Sequence, residues 1–404
     1  MTRSAFLFLG LALCCGALAV TSGCSREAPH VEATPLPTDE ALRDRIDRAL
    51  EFTQSGRHLN TKDQAAWQIV HGALAYGRDY QVYNTEGQLV PALDYLLQGG
   101  SLRGWTLRKG DHGLEAVLEA GSKTGQGHED QWLGYLSQCG LSPDDDIVVD
   151  GQSYKVRDLI TQAQWDIYDG MEATWTLMAF STYLPPDAEW TAKDGSKWNI
   201  PRIVEMEAAQ NLDDSACGGT HRMYGLTVAR NVHRQQGGAA TPGDAWDKAQ
   251  QKIDDAVATA RKFQQPDGSF STNYFSRPAT SPDIAARIGT TGHTLEFLTV
   301  ALDDEQLKQP WVTRAAVSLL ECLERTQKFD LECGALYHAA HGLELYRTRR
   351  FGPRKPNVAA EPAVVEPASS ESKSAEPPQP AAAEAAAVAP DKPAATEAAA
   401  AATP

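Results

Sequence analysis

Between about residues 40 and 350, apolar positions recur mainly with the 3.6-residue period of an α-helix. The helical segments are of two kinds. Six are apolar nearly all round: "AAWQIVHGALAYG", "GHEDQWLGYLSQC", "DGMEATWTLMAFSTYL", "CGGTHRMYGLTVARN", "TTGHTLEFLTVAL" and "ALYHAAHGLELYRTRR". A more charged segment with a single apolar stripe precedes each of them, as in "TDEALRDRIDRALEFTQ". Because an apolar surface must be covered, this alternation predicts inner helices that are each paired with an outer one.

A shorter pattern repeats between successive helix pairs. Alternating apolar and polar residues flank three turns that contain Gly87, Gly151 and Gly195, and a helix start follows each turn. Alternation on both sides of a tight glycine turn is typical of a β-hairpin. The sequence therefore predicts three small hairpins that lead from one helix pair to the next.

Glutamine followed by a glycine-bearing turn is a third recurring feature. It occurs after Gln210 and Gln327, and "QQPDGSFS" carries Phe270 where tryptophan is commoner. This motif resembles the QW-type repeat of terpenoid cyclases and of the related toroids of protein prenyltransferases. Over roughly residues 40–350 the resemblance implies an all-α fold, an (α/α)6 toroid of six inner and six outer helices with small β-hairpins between repeats. An open helical solenoid is the structural alternative.

The two ends of the chain differ from this middle part. Residues 1–23 combine Arg3, an apolar run and small residues before Cys24, as in a bacterial lipoprotein signal peptide. We expect Cys24 to be lipidated; the alternatives are cleavage to a soluble exported protein and a retained, uncleaved anchor. Residues 24–38 read as a linker and residues 39–352 as the folded domain. Residues 353–404 are rich in Ala, Pro and Glu and are predicted to be a disordered tail.

The net charge and the cysteines bear on the possible binding partners and on the cellular compartment. The net charge of −16 argues against a nucleic-acid partner, which requires a basic face. The predicted partners are the membrane, through the N-terminal lipid, and an unknown small molecule or glycan. The predicted location is the cell envelope, facing the periplasm or the exterior. In that oxidising compartment the cysteines form either disulfides or buried free thiols, and the sequence does not decide between these alternatives.

A histidine recurs in five of the six predicted inner helices, near the start of the apolar run. These residues are His71, His128, His221, His293 and His341, and the remaining helix carries Glu172 with Asp169 beside it. Unpaired N–H groups gather at helix N-termini, so we predict a polar rim that binds a ligand. The alternative is that each imidazole only satisfies a neighbouring backbone group.

The stretch "DDSACGGTH" adds a candidate metal site. It holds Asp213, Asp214, Cys217 and His221, and the last two are spaced i and i+4. Protein prenyltransferases, which the chain resembles, hold zinc with an Asp, a Cys and a His from successive inner helices. Asp214, Cys217 and His293 are of these types, although the Asp-to-Cys spacing differs from that family. The candidate ligands are Cys217, His221 and His293; the sequence predicts no cofactor, with zinc as the alternative.

The motifs leave the activity open. No GxSxG, phosphate-binding glycine loop, HExxH or EF-hand motif occurs. We expect a binding or scaffold module with a funnel lined by histidines and carboxylates. The alternative is an envelope glycan hydrolase or lyase that uses two of Asp169, Glu172, Asp213 and Asp214, with aromatic platforms for sugar rings. A zinc-dependent site like that of the prenyltransferases ranks behind both.

Overall fold

The computed structural model describes residues 35–213 and 215–354. The predicted signal peptide, the predicted lipidation site Cys24, Asp214 and nearly all of the predicted tail lie outside the described residues. The described part is mostly helical, with small hairpins, as the sequence predicts. Its helices are α1 Asp39–Ser55, α2 Ala66–Tyr76, α3 Ala92–Leu97, α4 Gln131–Gln138, α5 Val156–Asp166, α6 Thr174–Tyr183, α7 Ile200–Ala209, α8 Thr220–Gln235, α9 Ala245–Lys262, α10 Ile284–Ala301, α11 Asp304–Leu307, α12 Pro310–Arg325 and α13 Cys333–Phe351.

The two kinds of helix differ in burial as their patterns predict. Helix α1 buries one stripe that includes Leu42, Ile46 and Leu50, at spacings close to whole helical turns. In α6, by contrast, all residues from Thr174 to Ser181 are buried. Full burial stabilises a helix only if apolar side chains occupy every face, which the sequence of α6 provides.

The six helices with apolar surfaces on all sides contact one another in chain order. Helix α2 contacts α4, and the contacts continue through α6, α8 and α10 to α13, which contacts α2 in turn. The remaining long helices pack against these six: α1 against α13, α5 against α4 and α6, α7 and α9 against α8, and α12 against α10. The short helix α3 packs against α2. The side chains of α2, α4, α6, α8, α10 and α13 therefore meet in the interior.

Four two-stranded antiparallel hairpins lie between the helices. Their strands are β1 Gln81–Tyr83, β2 Leu89–Pro91, β3 Leu107–Lys109, β4 Leu114–Ala116, β5 Asp146–Val149, β6 Gln152–Lys155, β7 Glu189–Thr191 and β8 Lys197–Asn199. The three predicted hairpins are confirmed, and β2, β6 and β8 each run directly into a helix. In the β5–β6 turn Asp150 and Gly151 have φ of 50° and 73°, the left-handed conformation that an Asp-Gly turn supplies. The β3–β4 hairpin is not predicted from the sequence.

The cysteines in the described part of the chain are all unpaired. Cys139, Cys322 and Cys333 are buried, and Cys217 is half-buried. This agrees with the alternative of buried free thiols. Within the same residues, no helix combines the length and the apolar character that a membrane span needs.

Candidate metal centre

The interior of the six contacting helices holds a cluster of imidazole rings. The ring of His338 lies at its centre, with centroids 4.0 Å from His293, 5.0 Å from His221 and 5.0 Å from His71. His221 and His293 are 5.1 Å apart. These four histidines come from α2, α8, α10 and α13, and each is at most 9% exposed. The structure thus brings together three of the predicted histidines and one, His338, that was not predicted as a site residue.

The positions of the histidines within their helices correct one expectation. His221 is the second residue of α8 and His128 precedes α4, so both lie near a helix start. His71, His293 and His341, however, lie in the middle of α2, α10 and α13. The prediction that these three stand at a rim of helix N-termini is therefore wrong. Helices α10 and α13 begin before the quoted apolar runs, and His71 lies in the middle of its own run. All three rings are buried.

Cys217, His221 and His293 form a group suited to a metal ion. One ligand atom from each, the sulfur and one ring nitrogen of each imidazole, lies within 4.8 Å of the other two. Among the described residues, neither ring nitrogen of His221 has a hydrogen-bond partner, and neither does Nε2 of His293. A buried polar atom without a partner costs about 1–3 kcal/mol. One free nitrogen on each of two imidazoles beside a thiol is a donor set that a soft or borderline metal ion takes, so the residues fit such a metal.

A tight turn before α8 presents Cys217. Its backbone is left-handed, with φ of 49° and ψ of 44°, and Gly218 and Gly219 follow with φ of 59° and 84°. Such successive left-handed residues favour glycine. A Cβ atom on Gly218 would also lie 2.3 Å from the ring of Tyr274. The two glycines therefore allow the chain to turn sharply and place the cysteine above the start of α8, outside the helix itself.

The hydrogen bonds of the imidazoles fix which nitrogen is free. Nδ1 of His293 donates to the carbonyl of Gly289 at 2.7 Å, and Nδ1 of His71 bonds to the carbonyl of Trp67. In its neutral form His293 carries its one N–H on Nδ1, so Nε2 then offers a lone pair; in the protonated form Nε2 carries a hydrogen that a metal ion would displace. A backbone partner of this kind is the usual way in which a protein orients a ligating histidine.

The charges of this group are coupled. Burial disfavours the charged form of His293, but the adjacent Cys217 sulfur, Glu296 and the Gly289 carbonyl together outweigh burial and raise the pKa of His293 to about 9. The Nε2 atom of His293 nevertheless makes no hydrogen bond of ordinary geometry within the described residues, so the attraction is electrostatic. Burial, with the neighbouring His338 and His293, holds the pKa of His221 well below its usual range. His221 is consequently neutral and able to bind a metal.

A buried carboxylate supports the other side of the cluster. Glu296, on α10, is 4% exposed and accepts hydrogen bonds from Nδ1 of His338, at 2.9 Å, and from Nδ1 of His341. Burial opposes its ionisation, but these two imidazoles hold the pKa of Glu296 well below its usual range. Glu296 thus remains an anion and keeps the proton of His338 on Nδ1. Burial and the nearby His293 lower the pKa of His338, which is neutral with Nε2 bare.

Asp169, Glu172 and Asp213, the predicted carboxylates within the described residues, each have their own local partner. Asp169 forms an exposed ion pair with Arg202, and Glu172 accepts a hydrogen bond from Nδ1 of His128 at 2.7 Å. Asp213 accepts a hydrogen bond from the hydroxyl of Ser276.

The aromatic residues near these carboxylates are interior side chains. Trp132 and Trp175 are fully buried, and the Trp175 ring packs against His128 and His221. They form part of the core around the cluster.

A buried ion pair anchors the segment that carries Cys217. Arg222, one residue after His221, donates from Nε to the Glu207 carboxylate at 2.9 Å and from Nη1 to the carbonyl of Asn211 at 2.9 Å. Glu207 also accepts from the backbone of Ala173 at 3.0 Å. This pair links α7, the start of α6 and the turn before α8.

Two residues of the cluster were missed from the sequence. His338 lies one helical turn before the predicted His341, and Glu296 lies three residues after the predicted His293. The signal that could have found them is this one-turn spacing, which places each on the same helix face as its predicted neighbour. Comparison of the chain with protein-family models, with curated proteins and with solved structures gave no match.

Proposed function

We propose that this protein binds a zinc-like divalent metal ion through Cys217, His221 and His293. The observation that carries the proposal is the group of three close ligand atoms in which the buried nitrogens of both histidines lack partners. A bound cation would satisfy one nitrogen of each imidazole and balance the negative charge of a coordinated Cys217 sulfur. The cation would also replace the proton that the nearby Cys217 sulfur stabilises on His293.

The donor atoms select the kind of metal. The group consists of one sulfur and two imidazole nitrogens, with no carboxylate. Calcium and magnesium prefer oxygen ligands, whereas zinc is commonly held by cysteine and histidine. The donor set therefore favours zinc, with cobalt as its usual spectroscopic substitute.

Three protein ligands leave a tetrahedral metal with one position for an exogenous ligand. When bound, the ion supplies a Lewis acid at that position. The protein's own contributions are the orientation of His293 by the Gly289 carbonyl, the turn that presents Cys217 and the exclusion of water by the buried rings around them. The sequence predicts a ligand-binding interior, and the proposal assigns the binding to Cys217, His221 and His293.

We further infer that the fold is an α/α toroid with this centre in its middle. Its support is the contact order of α2, α4, α6, α8, α10 and α13, in which the last helix contacts the first. An open solenoid has no reason to bring its first and last inner helices together. The histidines of α2 and α13 meet within the cluster, which agrees with such a closure.

The metal content of untagged protein tests the proposal. Wild-type protein, Cys217→Ala and the matched control Cys322→Ala, which removes a buried thiol from the outer helix α12, are dialysed against zinc and then against buffer. We expect one zinc per chain in the wild type and in the control, and none in Cys217→Ala. Cobalt substitution should give a near-ultraviolet thiolate-to-cobalt absorption that only Cys217→Ala loses.

Two results would overturn the metal proposal. One is wild-type protein that retains neither zinc nor cobalt. The other is Cys217→Ala that retains as much metal as the control. Circular dichroism of all three proteins separates loss of metal from loss of fold.

A further inference from the structure

His338 is held in one orientation by a dedicated partner. Its Nδ1 donates to Glu296 at 2.9 Å, and both side chains are almost completely buried. The Glu296 carboxylate can only accept, so the N–H of the neutral imidazole lies on that side. The lone pair of Nε2 therefore points away from Glu296.

The Nε2 atom of His338 has no partner within the described part of the chain. Its ring lies 4.0 Å from that of His293 and 5.0 Å from that of His221, centroid to centroid. The group of mutually close ligand atoms nevertheless consists of Cys217, His221 and His293 and does not include His338. A bare acceptor thus lies beside the candidate ligands without belonging to them.

We propose that His338, oriented by Glu296, accepts a hydrogen bond from the ligand that occupies the open position of the metal. The inference rests on the proposed metal site and extends it to the ligand. Only a ligand whose metal-binding atom carries a hydrogen satisfies both the ion and His338. The expected class is therefore protic ligands, such as water, an alcohol or a sulfonamide, and not aprotic anions.

His341 provides an internal comparison. It also donates to Glu296 from Nδ1, but its ring lies 6.1 Å from Tyr224, and no ring contact joins it to His221 or His293 among the described residues. Loss of Nε2 from His341 should therefore not affect a ligand on the metal. The substitution of His341 removes an Nε2 atom from a histidine that is paired with Glu296 in the same way as His338.

Substitution of His338 by asparagine and by glutamine tests the roles of its two ring nitrogens separately. In His338→Asn the amide N–H takes the place of Nδ1 and still reaches Glu296, while the position of Nε2 becomes empty. In His338→Gln a polar group returns near the position of Nε2. Wild-type, His338→Asn, His338→Gln and His341→Asn proteins are loaded with cobalt, whose visible absorption reports both metal content and ligand binding.

The probes are methanesulfonamide, whose metal-bound nitrogen keeps a hydrogen, and thiocyanate, whose nitrogen has none. We expect His338→Asn to bind methanesulfonamide about tenfold more weakly, the loss of one hydrogen bond of about 1–1.5 kcal/mol. Its thiocyanate affinity should stay within about twofold, since no hydrogen bond is lost. His341→Asn should match the wild type with both probes, and His338→Gln should recover part of the sulfonamide affinity.

Other results would overturn the inference. Unchanged sulfonamide affinity in His338→Asn, or equal weakening of both probes, would show that His338 does not accept this hydrogen bond. Loss of cobalt from His338→Asn would make His338 a metal ligand instead. Wild-type protein that takes up no cobalt would refute the proposed metal site itself, whereas the other outcomes refute only the role of His338.

Discussion

Replacing Arg222 with methionine removes one partner of a fully buried ion pair. The side chains of Arg222 and Glu207 are 7% and 1% exposed, and Nε of the arginine lies 2.9 Å from the carboxylate. After the substitution, Glu207 keeps only neutral donors, the amide of Ala173 at 3.0 Å and the hydroxyl of Thr174 at 2.8 Å. An uncompensated buried charge of this kind costs about 3–5 kcal/mol. We expect Arg222→Met to lower the free energy of unfolding by about 4 kcal/mol.

Urea unfolding at neutral pH, followed by tryptophan fluorescence and by circular dichroism, measures this loss. Two matched variants separate burial from charge. Arg202→Met breaks the pair with Asp169, whose side chains are 34% and 72% exposed, and should change stability by less than about 1 kcal/mol. The double variant Glu207→Gln/Arg222→Met removes both buried charges and should regain most of the loss.

The reasoning fails if Arg222→Met costs no more than Arg202→Met. It also fails if the double variant is as unstable as Arg222→Met alone, because the cost would then come from lost packing and not from an unpaired carboxylate. Arg222 also holds the carbonyl of Asn211, at the start of the segment that leads to Cys217. A weaker metal affinity in Arg222→Met should therefore accompany the loss of stability.

Two further predictions concern stability. Burial raises the pKa of Asp130 to about 6, so its stabilising protonated form is lost as the pH rises through that value. Asp130→Asn, which cannot ionise, should gain stability over the wild type between pH 4 and pH 8, by up to about 3 kcal/mol in urea unfolding; a pH-independent difference would contradict this. In α10, a Cβ on Gly292 would lie 2.6 Å from the backbone of Ala339, whereas one on Gly289 would lie 3.3 Å from a methyl group. Gly292→Ala should lower the melting temperature by the equivalent of about 1–3 kcal/mol and Gly289→Ala by clearly less, and equal effects would refute the close approach of the helices.

Much of the fold is predictable because burial dictates composition. A helix such as α6, covered on all sides, needs apolar residues on all sides, while α1, with one buried stripe, tolerates charges elsewhere. The turns of the three predicted hairpins are recognisable because they need a left-handed backbone, which glycine adopts most readily. Gly87, Gly151 and Gly195 have this conformation. The β3–β4 hairpin was missed although its strands are as long as those of β1–β2 and β7–β8, because no helix start follows β4 directly, and that signal marked the other three hairpins.

The candidate centre was only partly predictable. The three ligand candidates were identified by residue type and by resemblance, but the i and i+4 spacing of Cys217 and His221 does not place them on one helix. Cys217 lies in a left-handed turn before α8, because Gly218 and Gly219 interrupt the helical conformation. Local spacing could not reveal this turn or the neighbours that pack on it.

Glu296 and His338 meet because of packing between two distant helices. In α10 and α13 the glycines Gly292 and Gly342 let the backbones approach closely: a Cβ on Gly342 would lie 3.0 Å from the carbonyl oxygen of Gly292. At such a separation a glutamate on one helix reaches the imidazoles on the other directly, so Glu296 bonds to both His338 and His341. The position of the His338 ring beside the proposed metal ligands therefore depends on small residues that carry no functional group. Because this dependence is long-range, it becomes visible only when the two helices are placed together.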